Sequence, residues 1–451
     1  MKRLAVWMVI ISMAALAFTG CSSQTSSEVK YEDVYRTTFS TEYKTLNPYN
    51  LSSTSAYTMV ANSIDGLVEN DKYGMIVPSL AESWKSNDDY TVWTYKLREG
   101  IFWVDHTGAK TEYEVTADDF VEGIRYIADP KNGAKNISTI SKVISGLYDY
   151  YWDLADIDDG EDIGKTREDV LKSFDEKVGV KALDKYTVEY SLDSSTPFFN
   201  SYLVIELFYP VEKAFLDKVG EDFGTSMDKM LYNGGYYISI WERDKLVVLT
   251  KNEHYWDKDN IFVKELNFQR VGDEITGLEM FQRGELTGCS ITADQLKALK
   301  GSEWEKYIYL KDKNTVTFWF TMNFISKNQE FRTFINNVNF RKALLYGIDR
   351  VKISALYEPD NPEFFVRNTI IPEDTLIDPN GVDYTDYPDL KPIKENIPYD
   401  PAKAKEYMQK AAAELCNPDG TIKGLSPAKV DMGNIAEFQS DAKLPVELVL
   451  A

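Results

Sequence analysis

The chain has 451 residues, of which 43% are hydrophobic and 13% aromatic, so a large core can form and wholesale disorder is excluded. At about 150 residues per domain, the length suggests about three domains. Acidic residues outnumber basic ones by 72 to 50, and the net charge of −22 argues against a nucleic-acid-binding protein. Two histidines and three cysteines leave little material for a zinc or redox site. We therefore expect neither a metal nor a cofactor.

The N-terminus has the pattern of a secretory signal. A short cationic start precedes an apolar run, 4–18, which is too short for a membrane span but suits a signal peptide. The run ends in Phe-Thr-Gly-Cys, which resembles a bacterial lipobox. We expect residues 1–20 to be removed, Cys21 to carry a lipid at the extracytoplasmic face of the cell membrane, and 21–34 to form a flexible tether. The alternative is an ordinary secretory signal with a chance cysteine.

Two further cysteines, Cys289 and Cys416, lie in the body of the chain. In an exported protein they could pair, but the sequence does not bring them together. We expect two separate buried thiols.

Hydrophobic alternation and capping signals predict both strands and helices in the first half of the chain. Residues 131–184 are acidic and partly helical, and we interpret them as an elaboration added to the basic fold. The predicted elements are a strand at 34–39, a helix from Ser53 or Thr54 to about Ile64, a hairpin of 90–97 with 101–104, a helix from 116 to before Pro130, and a strand at 186–192.

The second half continues the mixture without strict alternation of strand and helix, which predicts an α/β or α+β protein with several lobes. The predicted elements are a hairpin of 236–241 with 245–251, a strand at 264–271, a helix at 274–283 ended by Gly284, a β-rich stretch at 315–322, a helix at 338–349 and a helix opened by Asp400 and reaching about Leu415. The strand-like run 444–451 is either a final edge strand or the point at which the chain is cut short.

Motifs of the common hydrolases, metalloproteases and dinucleotide-binding enzymes are not found in the sequence. The stretch 160–166 approaches a phosphate loop but has one residue too few between its glycines. The acidic residues of 156–162 miss the EF-hand spacing and read better as a solvated face than as a calcium site. Asp119 is better explained as a helix cap than as half of a glycosidase pair. We therefore expect a protein without catalytic activity.

Several segments match one set of motifs in the same order along the chain. They are Thr45–Pro48, Leu80–Trp84, Tyr95–Gly100 with Trp103, Thr116–Phe120, Asn233–Tyr236 with Tyr255–Trp256, Phe281–Glu285, Val338–Leu344 with Ile348–Arg350, and Tyr399–Ala404. Together they resemble the extracytoplasmic solute-binding proteins of family 5, the oligopeptide- and dipeptide-binding lipoproteins of ABC peptide importers. The resemblance is collinear from about residue 35 to 451.

The resemblance implies an α/β fold of the periplasmic-binding-protein-like type II (cluster C), with two lobes around a hinge and an extra inserted domain. On this map lobe I comprises 35–50 and 185–300, the inserted domain is 51–184, and lobe II is 301–451. Because members of the family continue further, we expect this second lobe to be incomplete.

The resemblance also implies a function. Such proteins capture extracellular oligopeptides in the cleft between lobes and deliver them to the transmembrane subunits of an ABC permease. They hold the extended peptide backbone by strand-like hydrogen bonds, so that affinity need not depend on sequence. We expect a monomer that has an oligopeptide ligand, a permease partner and a membrane contact through its N-terminal lipid.

Three segments are expected to contact the peptide, and each has a plainer interpretation. The first follows the first strand and could merely end it, the second could be a turn before a strand, and the third is placed near the hinge. The residues are Ser40, Thr41, Glu42 and Tyr43; Tyr232, Asn233 and Gly234; and Asn323. The aspartate with which oligopeptide binders often hold the ligand's amino group would lie beyond Ala451.

Alternatives to oligopeptide binding remain open. The same fold could carry a dipeptide, a nickel chelate, a glycan or a signalling peptide. A cell-surface hydrolase would need a nucleophile or an acid pair that the sequence does not display. A purely structural surface lipoprotein would show no ligand-dependent change.

Overall fold

The structure is a computed structural model that describes residues 32–424, except 73, 310–316, 318, 320, 357, 374, 379 and 397. The chain divides into two compact units, Met1–Ser290 and Ile291–Ala451. The predicted signal, Cys21, the run 444–451 and half of the β-rich stretch 315–322 lie outside the described residues. Within the described residues, no helix is both long and apolar enough to cross a membrane.

The strands of the first unit form two four-stranded and two two-stranded sheets in the described residues. They are β1 Val34–Phe39, β2 Val68–Asn70, β3 Ile76–Pro78, β4 Ala81–Ser86, β5 Val92–Leu97, β6 Phe102–Val104, β7 Lys110–Glu114, β8 Val180–Asp184, β9 Thr187–Ser191, β10 Tyr236–Glu242, β11 Leu246–Lys251 and β12 Glu265–Arg270.

The first four-stranded sheet has the order β1-β12-β11-β10. β1 runs parallel to β12, with Val34 opposite Glu265 and Phe39 opposite Arg270. β10 and β11 form the predicted antiparallel hairpin, and β11 pairs antiparallel with β12. The predicted strands at 34–39 and 264–271 and the hairpin are therefore confirmed, and the carboxyl ends of β1 and β12 lie at the same edge of the sheet.

The second four-stranded sheet, in the order β4-β5-β9-β8, corrects one prediction. Trp93, Tyr95 and Leu97 alternate into the core as the sequence pattern indicates. However, β5 pairs with β4 and β9, and β6 pairs with β7, so the hairpin of 90–97 with 101–104 is wrong. Because β5 is a central strand, one of its edges is filled by β4, the strand just before it, and the other by β9, which is distant in sequence, so β6 turns away to its own partner.

Two helices of the first unit begin at the caps that the sequence predicts. Ser53 accepts the Ala56 N–H at the start of the first helix, and the Asp119 carboxylate accepts the Thr116 N–H (3.1 Å) at the start of the second. Asp119 also accepts the Trp103 indole N–H (3.0 Å), which ties the cap to the core. The helices are α1 Thr54–Ala61, α2 Ala117–Ile127, α3 Leu147–Asp158, α4 Arg167–Lys172, α5 Phe174–Lys177, α6 Lys213–Val219 and α7 Glu274–Gln282.

The described elements of the second unit are helical. They are α8 Ala293–Leu299, α9 Gln329–Asn336, α10 Val338–Gly347, α11 Arg350–Ser354, α12 Lys391–Lys394 and α13 Pro401–Leu415. α10 packs on α13, where the rings of Tyr346 and Tyr407 stack 5.6 Å apart. The helix predicted at 338–349 ends two residues early because Asp349 caps α11 by accepting the Lys352 N–H.

Both body cysteines are free thiols. Cys416 is buried, as expected, whereas Cys289 is only half-buried. Burial raises the pKa of each thiol. The expectation of two separate thiols is therefore confirmed, and the expected burial of Cys289 is corrected.

Candidate functional site

Three chain segments meet at one edge of the first sheet. Residues 40–43 follow β1, 242–245 connect β10 to β11, and 270–273 end β12. The Val271 N–H donates to the Phe39 carbonyl (3.0 Å), and the Arg270 N–H donates to the Lys245 carbonyl (2.8 Å). We call these three segments the carboxyl edge. In open α/β sheets, ligands bind outside the carboxyl ends of parallel strands, so this edge is the candidate site.

Ser40 and Thr41 are exposed at the carboxyl edge, as are the residues of the β10–β11 turn, but they differ in their hydrogen bonds. Neither Ser40 nor Thr41 makes a hydrogen bond, through backbone or side chain, to any other described residue. Phe39, immediately before them, is only 6% exposed and lies in the core. The chain therefore leaves the core at Phe39 and presents two residues with free backbone donors and acceptors.

Glu42 and Tyr43 face the protein instead. One Glu42 carboxylate oxygen accepts the Asp244 N–H (2.8 Å), and the other lies 3.7 Å from the Arg243 guanidinium. Tyr43 is 4% exposed, and its ring stacks on Trp241 with centroids 5.3 Å apart. Burial raises the pKa of Tyr43 well above its usual value, the Glu42 charge adds to the rise, and Arg243 opposes it. These contacts tie both residues to the hairpin.

Tyr232 is fully buried and lies outside the carboxyl edge, in the chain that leads into β10. It forms an isolated antiparallel bridge with Val104, and its hydroxyl donates to the Met227 carbonyl (2.8 Å). Burial raises its pKa, and the charges of Asp228 and Tyr43 contribute. Tyr43 and Tyr232 therefore belong to the same buried region, in which Tyr232 acts as a packing residue behind the edge.

Asn233 and Gly234 form a tight contact with the chain at 63–65. The Asn233 side-chain carbonyl accepts the Asp65 N–H (2.8 Å), and the backbone N–H groups of Asn233 and Gly234 both donate to the Ser63 carbonyl. A Cβ on Gly234 would lie 2.8 Å from the Ser63 carbonyl carbon, closer than real Cβ atoms come. Asn233 is 1% exposed, and its amide nitrogen has no partner among the described residues. Asn233 and Gly234 therefore hold the chain that leads into β10 against residues 63–65.

Asn323 belongs to the second unit, whereas the other seven predicted residues belong to the first. Its side chain is exposed, its amide oxygen accepts the Ile325 N–H (3.2 Å), and its carbonyl accepts the Ser326 N–H (3.3 Å). These bonds are those of a turn. Contact between any of the eight predicted residues and a ligand stays a prediction.

Sequence reasoning missed Arg243 and Asp244, which it took as ordinary turn residues. Arg243 donates to the carbonyls of Tyr43 (2.7 Å), Lys44 (3.3 Å) and Thr225 (2.7 Å). Asp244 has a φ of 53°, a left-handed conformation that non-glycine residues seldom adopt. An aspartate at the third position of a short hairpin turn was the available signal.

A second polar group lies where α1 leads into β2. The Asp65 carboxylate accepts hydrogen bonds from Ser79 (3.0 Å) and Tyr255 (2.8 Å), and burial raises its pKa. Partial desolvation, reinforced by the charges of Asp65 and Asp257, raises the pKa of Glu69 to about 7. In the described ranges, no group of three or more His, Cys, Asp or Glu side chains is arranged to hold a metal ion.

The class of protein follows from similarity to a solved structure. The structure of Listeria monocytogenes OppA bound to peptide matches 85% of this chain and 69% of its own, with a TM-score of 0.62 and 27% identity. The chain therefore has the fold of OppA-type solute-binding proteins, as the sequence predicted. The sequence profile of the bacterial extracellular solute-binding proteins, family 5 (middle), matches residues 75–438. The chain belongs to this family, which is a family of binding proteins.

Curated relatives agree with this assignment. The oligopeptide-binding protein AmiA of Streptococcus pneumoniae is 31% identical over 385 residues, which cover 81% of this chain and 55% of AmiA. The oligopeptide-binding protein AliA of the same organism is 29% identical over 436 residues, which cover 89% of this chain and 62% of AliA. The chain thus spans less than two thirds of the length of either relative.

Proposed function

We propose that this protein captures extracellular oligopeptides and delivers them to an ABC permease for import. The observation that carries the proposal is the exposed, unpaired backbone at Ser40 and Thr41, beyond the carboxyl end of β1. An extended peptide laid beside these residues would complete their hydrogen bonds as an added strand. Since every peptide has the same backbone, one site would accept many sequences.

The comparisons support the choice of ligand. AmiA and AliA are named as oligopeptide-binding proteins, and the Listeria OppA structure contains a bound peptide. The carboxyl edge adds a physical reason, because the chain leaves the core at Phe39 and presents free backbone at Ser40 and Thr41. A site with free backbone donors and acceptors suits the binding of an extended peptide.

We extend the proposal to the cellular setting. Cys21 carries a lipid that anchors the protein to the extracytoplasmic face of the membrane, and residues 1–20 are its signal peptide. The protein works as a monomer, and its partners are the peptide and the transmembrane subunits of the permease. In the proposed division, lobe I is 35–50 with 185–300, the inserted domain is 51–184 and lobe II is 301–451.

A thermal-melt screen tests the proposed ligand. The protein produced from its native gene is melted with pools of dipeptides, tetrapeptides and octapeptides, with a nickel chelate and with a cell-wall glycan. A ligand that binds only the folded state raises the melting midpoint. The proposal expects a shift with peptides of four or more residues. A shift with dipeptides, nickel chelate or glycan alone would assign another cargo to the fold, and release of cleaved peptide would indicate a hydrolase.

A further inference from the structure

Arg243 makes an unusual number of contacts with the chain that leads away from the candidate site. Its guanidinium donates to three backbone carbonyls, those of Tyr43, Lys44 and Thr225. Its Cζ atom lies 3.6 Å from the centroid of the Trp241 ring, which also stacks against Tyr43. A planar guanidinium offers several donors in a fixed fork, so one side chain can hold several carbonyls in a set geometry.

The neighbouring turn residue adds a second attachment. The Asp244 N–H donates to the Glu42 carboxylate (2.8 Å), and Asp244 holds its left-handed φ of 53° while doing so. A strained backbone conformation persists only where surrounding contacts hold it in place. The β10–β11 turn is thus shaped to grip residues 42–44.

These attachments leave a short free segment between two fixed ends. On one side, Phe39 is buried and its carbonyl accepts the Val271 N–H. On the other side, residues 42–44 are bound to the hairpin. Ser40 and Thr41 span the gap, and neither bonds to another described residue. Their position is therefore set by the two ends and not by contacts of their own.

We propose that Arg243 is a positioning residue for ligand binding, which fixes the backbone of Ser40 and Thr41 in the conformation that accepts a peptide strand. This inference rests on the proposed function. Glu42 and Tyr43 then act with Arg243 as the frame of the site, and the peptide contacts in this segment are confined to Ser40 and Thr41. Holding a binding segment in its bound conformation raises affinity because less ordering remains to be done upon binding.

The test compares Arg243→Gln with a matched arginine substitution. Arg125 is the control, since its Cζ lies 4.1 Å from the Phe174 ring centroid and it pairs with Glu122 and Asp175, away from the carboxyl edge. Affinities are measured by calorimetry well below the melting midpoint, for three hexapeptides of unrelated sequence, each with a free and an amidated C-terminus. Hydrogen exchange of residues 39–45 is measured in both variants without ligand.

We expect Arg243→Gln to lower the affinity by at least about tenfold, since ordering the backbone of a single residue already costs on the order of that factor. The loss should be equal for all three sequences and for both termini, and exchange at 39–45 should rise. Arg125→Gln should lower the melting midpoint and leave both readouts unchanged. A loss confined to peptides with a free carboxylate would mean that Arg243 binds the ligand directly, and an unchanged affinity would mean a structural role only; either overturns the proposal.

The two proposals fail separately. If the wild-type protein binds none of the hexapeptides, the proposed function fails. The exchange measurement still decides whether Arg243 orders residues 39–45, and unchanged exchange in Arg243→Gln would overturn the positioning role regardless of ligand.

Discussion

Tyr43 and Tyr232 share one buried region, yet only one of them has a partner for its hydroxyl. The Tyr232 hydroxyl donates to the Met227 carbonyl at 2.8 Å. The Tyr43 hydroxyl is buried and has no hydrogen-bond partner among the described residues. A buried polar group without a partner costs stability, whereas a bonded one contributes to it. Removing the hydroxyl group should therefore affect the free energy of unfolding differently at the two tyrosines.

Removal of each hydroxyl tests this difference. Tyr232→Phe should lower the free energy of unfolding by about 1 kcal/mol, because it leaves the Met227 carbonyl without its donor. Tyr43→Phe should leave the free energy of unfolding unchanged or raise it slightly. Urea denaturation of both variants checks the pair. A larger loss from Tyr43→Phe than from Tyr232→Phe would contradict the arrangement described here.

Gly234 should tolerate no side chain. Gly234→Ala places a Cβ 2.8 Å from the Ser63 carbonyl carbon and 3.0 Å from the Ile64 nitrogen, both backbone atoms that cannot swing away. Overpacking of this kind costs roughly 1–3 kcal/mol of unfolding free energy. Gly277→Ala, within α7, is the control, since its Cβ would meet only the Cys289 Cβ at 3.8 Å. That change should stabilise the helix by roughly 0.5–1 kcal/mol, and equal effects of the two substitutions would refute the prediction.

The raised pKa of Glu69 predicts how the free energy of unfolding depends on pH. Its pKa in the folded protein is about 7, raised above the ordinary 4.5 by partial desolvation of its carboxyl group, although the residue as a whole is exposed, and by the charges of Asp65 and Asp257. Between these values the folded state holds more protons than the unfolded state, so stability falls as the pH rises through this window. Glu69→Gln should remove part of the fall from pH 5 to pH 8 in thermal melts.

Glu285 is the control for the pH experiment. It is exposed, and its hydrogen bond with Arg283 lowers its pKa. A lowered pKa affects stability only below the ordinary value, so Glu285→Gln should leave the slope between pH 5 and pH 8 as it is. An unchanged slope in Glu69→Gln would contradict the assignment of Glu69.

The backbone of Thr41, not its side chain, should matter for peptide binding. Thr41→Pro removes the N–H that the proposal gives to the ligand and should weaken peptide affinity by roughly tenfold, the worth of about one good hydrogen bond. Thr41→Ala keeps the N–H and should bind peptide as the wild type does. Calorimetric titration of both variants with one hexapeptide measures the difference. If Thr41→Ala loses as much affinity as Thr41→Pro, the side chain and not the backbone carries the contact.

Local signals predicted the local structure well. β1 and the start of α13 fall where alternation and the Asp400 cap place them, because both depend on neighbours in sequence. The hairpin of 90–97 with 101–104 failed because the edges of β5 are filled by β4 and β9. β9 lies about a hundred residues further along the chain, and an alternating pattern does not identify its partner.

The candidate site was also predicted only in part, because some of its contacts join residues that are distant in sequence. The position of residues 40–43 after the first strand is a local feature. The separation of exposed Ser40 and Thr41 from the bound Glu42 and Tyr43 depends on Arg243, some two hundred residues away in sequence. Contacts over that distance leave no periodicity to detect, so the role of the hairpin turn became visible only in the folded chain.

Backbone recognition at Ser40 and Thr41 is tested most directly from the ligand side. One hexapeptide and a set of its variants, each with a single backbone N-methyl group, are titrated into the wild-type protein by calorimetry. We expect tight binding of the parent peptide and a marked loss when particular backbone N–H groups are methylated, while side-chain changes at the same positions have little effect. Equal affinity for the parent and every N-methylated variant, or no binding of the parent, would contradict it.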